Sequence, residues 1–184
     1  MRAASRLVVA VAALTLAGAA TAASPSPQKL YRALLSARIS ASELPAGFSS
    51  PRTVNNAPGP NPKRHHVVGE VEIDLNGGQS AIVYVVFPTR ADALAAYADG
   101  LRELKTTNGV TAVRSPVPGL PKPSVAVDAS ASGLGITQVT LVAGNVEIAT
   151  ETARHGGKHG DRAGTVALAK AAVRHLASVA RRAA

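Results

Sequence analysis

Val67-Val68-Gly69-Glu70-Val71-Glu72-Ile73-Asp74-Leu75-Asn76-Gly77-Gly78-Gln79-Ser80-Ala81-Ile82-Val83-Tyr84-Val85-Val86-Phe87-Pro88 reads as a β-hairpin, and the rest of the chain is arranged around it. Val67, Gly69, Val71, Ile73 and Leu75 fall on one face and Val68, Glu70, Glu72 and Asp74 on the other. A period of two is the mark of a half-buried strand. The adjacent glycines that follow accept the positive φ angles of a tight turn. A two-residue turn at Gly77-Gly78 pairs Ile73 with Ile82 and Val71 with Tyr84. A turn at Asn76-Gly77 shifts the register by two and keeps the same faces together. The return strand is apolar on its second face too, through Ala81, Val83, Val85 and Phe87. That predicts a strand deep in a sheet, covered at least partly on both sides.

Pro88 stops the strand, and Thr89 with Asp92 three residues on forms a capping arrangement that starts a helix. Leu94, Tyr97, Leu101 and Leu104 line one face of it, and Asn108-Gly109 closes it. Upstream, residues 28–38 carry a helical pattern, Pro45 and Gly47 enforce a turn, and residues 49–54 fit a short strand. Residues 55–64 form a loop rich in Asn, Pro and Gly, ending in the basic run Lys63-Arg64-His65-His66. Downstream, residues 110–114 fit a strand, and the prolines of 115–123 exclude regular structure there. Strands follow at 125–129 and 134–142. A second hairpin turns at Gly144-Asn145, pairing Leu141 with Ile148, Val139 with Thr150 and Ala143 with Val146. A last helix over 161–182 shows Val166, Ala169, Val173, Leu176 and Ala180 on one face. The predicted class is α+β, an antiparallel β-sheet of about six strands packed by two to three helices.

The first 22 residues read as a secretory signal peptide: Arg2 and Arg6, a short apolar run over 7–20, then Ala20-Thr21-Ala22 as a cleavage pattern. Residues 23–184 read as one α+β domain, exported and without a transmembrane anchor after cleavage. The chain has no cysteine, so neither a disulfide nor a lipid on an N-terminal Cys is available to it. With two Phe, three Tyr and no Trp, the core must be built from Val, Leu, Ile and Ala. A formal charge of +9 serves solubility or an anionic partner. Nucleic acid is not an expected partner, because stacking platforms and recognition motifs are missing.

Two clusters stand out. The loop 154–162 is Gly-rich, basic and opens a helix, so Arg154, Lys158, His159 and Arg162 are candidate anion-binding residues. It lacks the spacing of a nucleotide-binding P-loop. Glu70, Glu72 and Asp74 on one strand and Glu147 and Glu151 on another form a candidate acidic face, provided the two hairpins are neighbours. His155 and His159 with Asp161, or His65 with His66, do not complete a metal-ligand set. The sequence points to no catalytic residue, no metal and no cofactor.

The signal peptide, Leu44-Pro45-Ala46-Gly47-Phe48, Val83-Tyr84-Val85-Val86-Phe87-Pro88 leading into an Ala-rich helix, and Gly144-Asn145-Val146 before a final helix give a layout that resembles small exported bacterial domains. It is similar to LpqN-type cell-wall lipoproteins, PknH-type kinase sensor domains and PsbP-like α/β/α sandwiches, with no single family singled out. Together these features point to a non-enzymatic domain that binds a small apolar or anionic ligand, or a cell-envelope component, in a pocket of Val, Leu and Tyr between sheet and helices. The alternatives are a hydrolase-like enzyme using the acidic face or the loop from His155 to Asp161, and a structural or partner-binding protein.

Overall fold

A computed structural model describes residues 24–56, 66–103, 111–131, 133–157 and 159–184. The expected signal peptide, most of the basic loop, Leu104, Asn108-Gly109, Val110 and Lys158 lie outside the described residues. The helices are α1 (Pro27–Ser36), α2 (Arg90–Glu103) and α3 (Arg162–Ala183). The strands are β1 (Arg52–Asn56), β2 (Gly69–Leu75), β3 (Ser80–Val86), β4 (Thr111–Pro116), β5 (Ser124–Ala131), β6 (Leu134–Ala143) and β7 (Val146–His155). They form one antiparallel sheet in the order β1-β2-β3-β7-β6-β5-β4.

The α+β class is as expected, with seven strands rather than about six. β4 includes Ser115 and Pro116, contrary to the expectation that the prolines of 115–123 exclude regular structure there. The sheet tolerates Pro116 because β4 is an edge strand, with no neighbour on one side to require its missing N–H.

Both hairpin registers follow the sequence pattern. Ile73 faces Ile82, Val71 faces Tyr84, and Leu141 faces Ile148. The β2–β3 connection is wider than a two-residue turn, with Leu75 facing Ser80 across a 3-10 turn at Asn76–Gly78. Asn76 holds this turn with φ +52, a left-handed conformation that Asn tolerates better than most residues. Its side-chain oxygen accepts from the Ser49 N–H at 2.8 Å, and its amide donates to the Gly47 carbonyl at 3.0 Å. One side chain thereby ties the segment before β1 to the hairpin tip. Asn76→Ala should cost about 2 kcal/mol in urea unfolding, through lost hydrogen bonds and left-handed strain. A loss below about 0.5 kcal/mol would show that the tie carries no stability.

The inner face of the sheet buries Val71, Ile73, Leu75, Ile82, Tyr84, Val86, Val139, Leu141 and Ile148 against α1 and α3. Leu30 and Leu34 of α1 and Leu168, Leu176 and Val179 of α3 supply the opposing layer. The Ser26 hydroxyl caps α1 by accepting from the Lys29 N–H, and the Asp161 carboxylate caps α3 through the Gly164 N–H. Each fully buried aliphatic or aromatic side chain contributes about 2 kcal/mol. The Val, Leu and Tyr side chains of this side, expected to line a pocket between sheet and helices, are buried in the core.

The topology places α2 on the other side. β3 ends at the middle of the sheet, and the next strand, β4, lies at the far edge. The chain must therefore cross β7, β6 and β5. Fourteen helical residues span about 21 Å, close to the four strand spacings of about 19 Å in total. The helix starts at Thr89, whose hydroxyl accepts from the Asp92 N–H, as expected. It ends where Arg114 of β4 donates to the Leu101 carbonyl. Beneath it lies a second, smaller core of Phe87, Ala93 and Val142, with Val85, Leu94 and Tyr97 packed around it. The molecule thus has three layers: α1 and α3, the sheet, and α2.

Candidate functional site

Strand alternation and register fix which side chains share the outer face. Glu70, Val85, Glu147 and Val142 form one row across β2, β3, β7 and β6. Glu72, Val83, Ala149 and Thr140 form the next, and Asp74, Ala81, Glu151 and Gln138 the third. Ala153 and Ile136, then His155 and Leu134, continue the face to the end of the β6–β7 hairpin. The two hairpins are neighbours through β3 and β7, so all five candidate carboxylates lie on one sheet surface. Helix α2 runs over the first of these rows, and the later ones lie on the half it does not cross.

The carboxylates differ by environment. Glu147 sits beneath α2, and burial alone pushes its carboxyl up to about 7. Tyr97 of α2 is raised by burial and then by the charge of Glu147, with Arg114 acting the other way. Glu151 is raised by burial and, secondarily, by the charge of Glu72 across β3. Asp74 is paired with Arg52 of β1 at 3.0 Å. A half-buried carboxylate with no counter-charge favours its neutral form, and a cation placed beside it reverses that preference.

The basic loop has a different organisation from an anion cradle. Arg162 forks between Asp128, at 2.6 Å, and the Ser115 hydroxyl, joining the start of α3 to β5 and β4. His159 has its ring Nδ1 2.9 Å from the Gly160 carbonyl oxygen. Arg154 and His155 are exposed at the end of β7. The glycines are explained by close approach. A Cβ on Gly135 would meet the His159 nitrogen at 2.5 Å and the Gly157 oxygen at 2.7 Å. A Cβ on Gly160 would run into the Thr152 carbonyl and come within 2.8 Å of the Thr137 nitrogen. The loop lies flat on the sheet, and buried hydroxyls lock it there: Thr152 and Thr165 are 2.7 Å apart, and the Asp161 N–H donates to Thr152 at 2.9 Å.

Two features had no local sequence signal. His175 of α3 is buried beside Tyr84, its Nδ1 3.1 Å from a Glu43 carboxylate oxygen, while its Nε2 is buried without a partner. Glu43 is held below the usual carboxylate range chiefly by the Ser40 N–H, with the His175 contact adding to it. These residues are 132 positions apart and lie on the filled inner side, where they fasten the segment after α1 to α3. The second is a groove of about 450 Å³ at the end of the outer face, lined by Gly78, Gln79, Leu134, Ala153, Arg154 and His155. Among the described residues no group of three His, Cys, Asp or Glu side chains is placed to hold a metal ion, and no helix is long and apolar enough to cross a membrane.

No protein-family model matches the chain, and no curated protein matches it. Among solved structures it is similar to the extracellular domain of PknH from Mycobacterium tuberculosis, at 15% identity and a TM-score of 0.46, over 83% of this chain and 93% of that one.

Proposed function

We propose that this chain is an exported, non-enzymatic binding domain whose binding surface is the half of the outer sheet face that α2 leaves open. One observation carries the reading. The crossing from β3 to β4 carries α2 over the row of Val85, Glu147 and Val142, and leaves open the next two rows, Glu72-Val83-Ala149-Thr140 and Asp74-Ala81-Glu151-Gln138. Those rows combine aliphatic side chains (Ala81, Val83, Ala149) with the carboxylate of Glu151, which burial and Glu72 both destabilise as an anion. The ligand that complements them has an ammonium group on an apolar body, of the kind found among envelope components.

Octylamine, charged at neutral pH, is a suitable probe. Calorimetry should show saturable binding that strengthens as pH rises through the titration of Glu151, because a cation favours the ionised carboxylate. Glu151→Gln should weaken it about tenfold, the order expected for one lost charge-assisted contact. Binding that is unchanged in this variant, or that weakens with rising pH, would sink the proposal.

Export rests on the sequence of the first 22 residues. The protein recovered outside the cytoplasm should begin at Ala23, which N-terminal sequencing reads directly. A cell-associated protein retaining Met1 would remove the exported part of the proposal.

A further inference from the structure

Helix α2 rests on the sheet far more lightly than α3 does. Of its 14 residues only Ala93 and Asp99 are buried, whereas α3 buries Leu168, Leu176, Val179 and a row of alanines. Leu94, Ala96 and Tyr97 pack only partly against the small core beneath α2, and Gly100 weakens the helix near its far end. With so little apolar surface buried, a helix opens locally at a lower free energy than the fold as a whole. The start of α2 is well anchored. The Phe87 N–H donates to the Asn145 carbonyl at 2.9 Å, and the Asn145 amide donates back to the Phe87 carbonyl at 2.6 Å. The Arg90 guanidinium reaches the Gly144 and Lys122 carbonyls at 3.5 and 3.3 Å. At the other end Arg114 of β4 donates to the Leu101 carbonyl.

Beneath the helix, Glu147 has no hydrogen bond or ion pair among the described residues, and burial is what raises its carboxyl. Tyr97 faces it from α2, and Glu70 lies in its row on β2, while β3 and β6 present Val85 and Val142. Arg114 is engaged with Leu101, and Asp92 and Asp99 of α2 with Thr89 and Arg102. The seated helix therefore disfavours the Glu147 anion, which water hydrates once the helix is raised. We propose that α2 is a lid, hinged at its anchored start, that lifts from the sheet when Glu147 gives up its proton. Lifting uncovers Val85, Glu147 and Val142 beside the two rows already open, so the extent of the outer face follows pH. The lid stands or falls independently of what that face binds.

Amide hydrogen exchange on the full mature chain, expressed as protection factors at pH 5 and pH 8, tests it. Amides of residues 94–101 should be at least tenfold less protected than those of residues 168–179 at both pH values, because α2 opens without α3. Their protection should fall on the order of fiftyfold from pH 5 to pH 8, as a carboxyl near 7 in the closed state ionises more readily in the open one. In Glu147→Gln that fall should vanish. Equal protection of the two helices would show that α2 has no opening of its own. A protection of α2 that is the same at both pH values, or that falls as far in Glu147→Gln, would show that Glu147 does not drive it.

Discussion

Gly160→Ala is expected to destabilise the protein by about 3 kcal/mol, lowering the melting temperature by roughly 10 °C. Nothing in the local sequence asks for glycine there, since its φ lies outside the left-handed region. The cost comes from what the added methyl would meet. The Thr152 carbonyl, the Thr152 hydroxyl at 2.6 Å and the Thr137 nitrogen are atoms of two central strands. Moving them breaks the hydroxyl network in which Thr152 bonds Thr165 and Asp161, and with it the start of α3. Gly156, in the same loop, provides the comparison. It has φ +72 but open space around it, so Gly156→Ala should cost only about 1 kcal/mol of left-handed strain. Urea unfolding of the two variants distinguishes a packed loop from a flexible one. Equal, small losses would show that the loop does not hold α3 to the sheet.

The second large effect is a pH dependence centred on Glu147. Its carboxyl titrates near 7 in the folded protein and near 4.5 when free. Between these values the folded state keeps a proton that the unfolded state has released, so stability falls as pH rises. The contribution is fully present below about pH 4.5 and lost once pH passes about 7, amounting to about 3 kcal/mol. Glu147→Gln keeps the shape and removes the charge. It should match the parent protein at pH 4 and exceed its stability by about 3 kcal/mol at pH 8. Glu43, whose pKa is lowered, acts in the opposite sense in acid, but it is common to both proteins and cancels in the difference. A difference that stays constant from pH 4 to pH 8 would contradict the burial of an ionisable Glu147 beneath α2.

The sequence was most legible where the information is local. The alternation of residues 67–75 and 80–87 fixed which faces meet in the first hairpin, because a slip of one would turn every apolar side chain outward. It left two registers two residues apart, of which the structure has the one pairing Ile73 with Ile82; the Gly144-Asn145 turn gave the second register to the residue. The apolar second face of β3 marked it as an interior strand, and it lies third of seven. What could not be read was the pairing of β3 with β7, which joins residues about seventy positions apart and obeys no periodicity. That pairing is what gathers Glu70, Glu72, Asp74, Glu147 and Glu151, and the sequence could pose it only as a condition. The basic loop was legible as a composition, but its glycines answer to Thr137 and Thr152, and Arg162 to Asp128, partners that only the tertiary structure supplies.

The central claim is that the open half of the outer face is the binding surface, and mapping backbone amide shifts during an octylamine titration tests it most directly. Shifts should concentrate at Glu72, Ala81, Val83, Gln138, Ala149 and Glu151, leaving α1 and α3 undisturbed. Shifts centred on α1 or α3, or spread evenly over the surface, would contradict it.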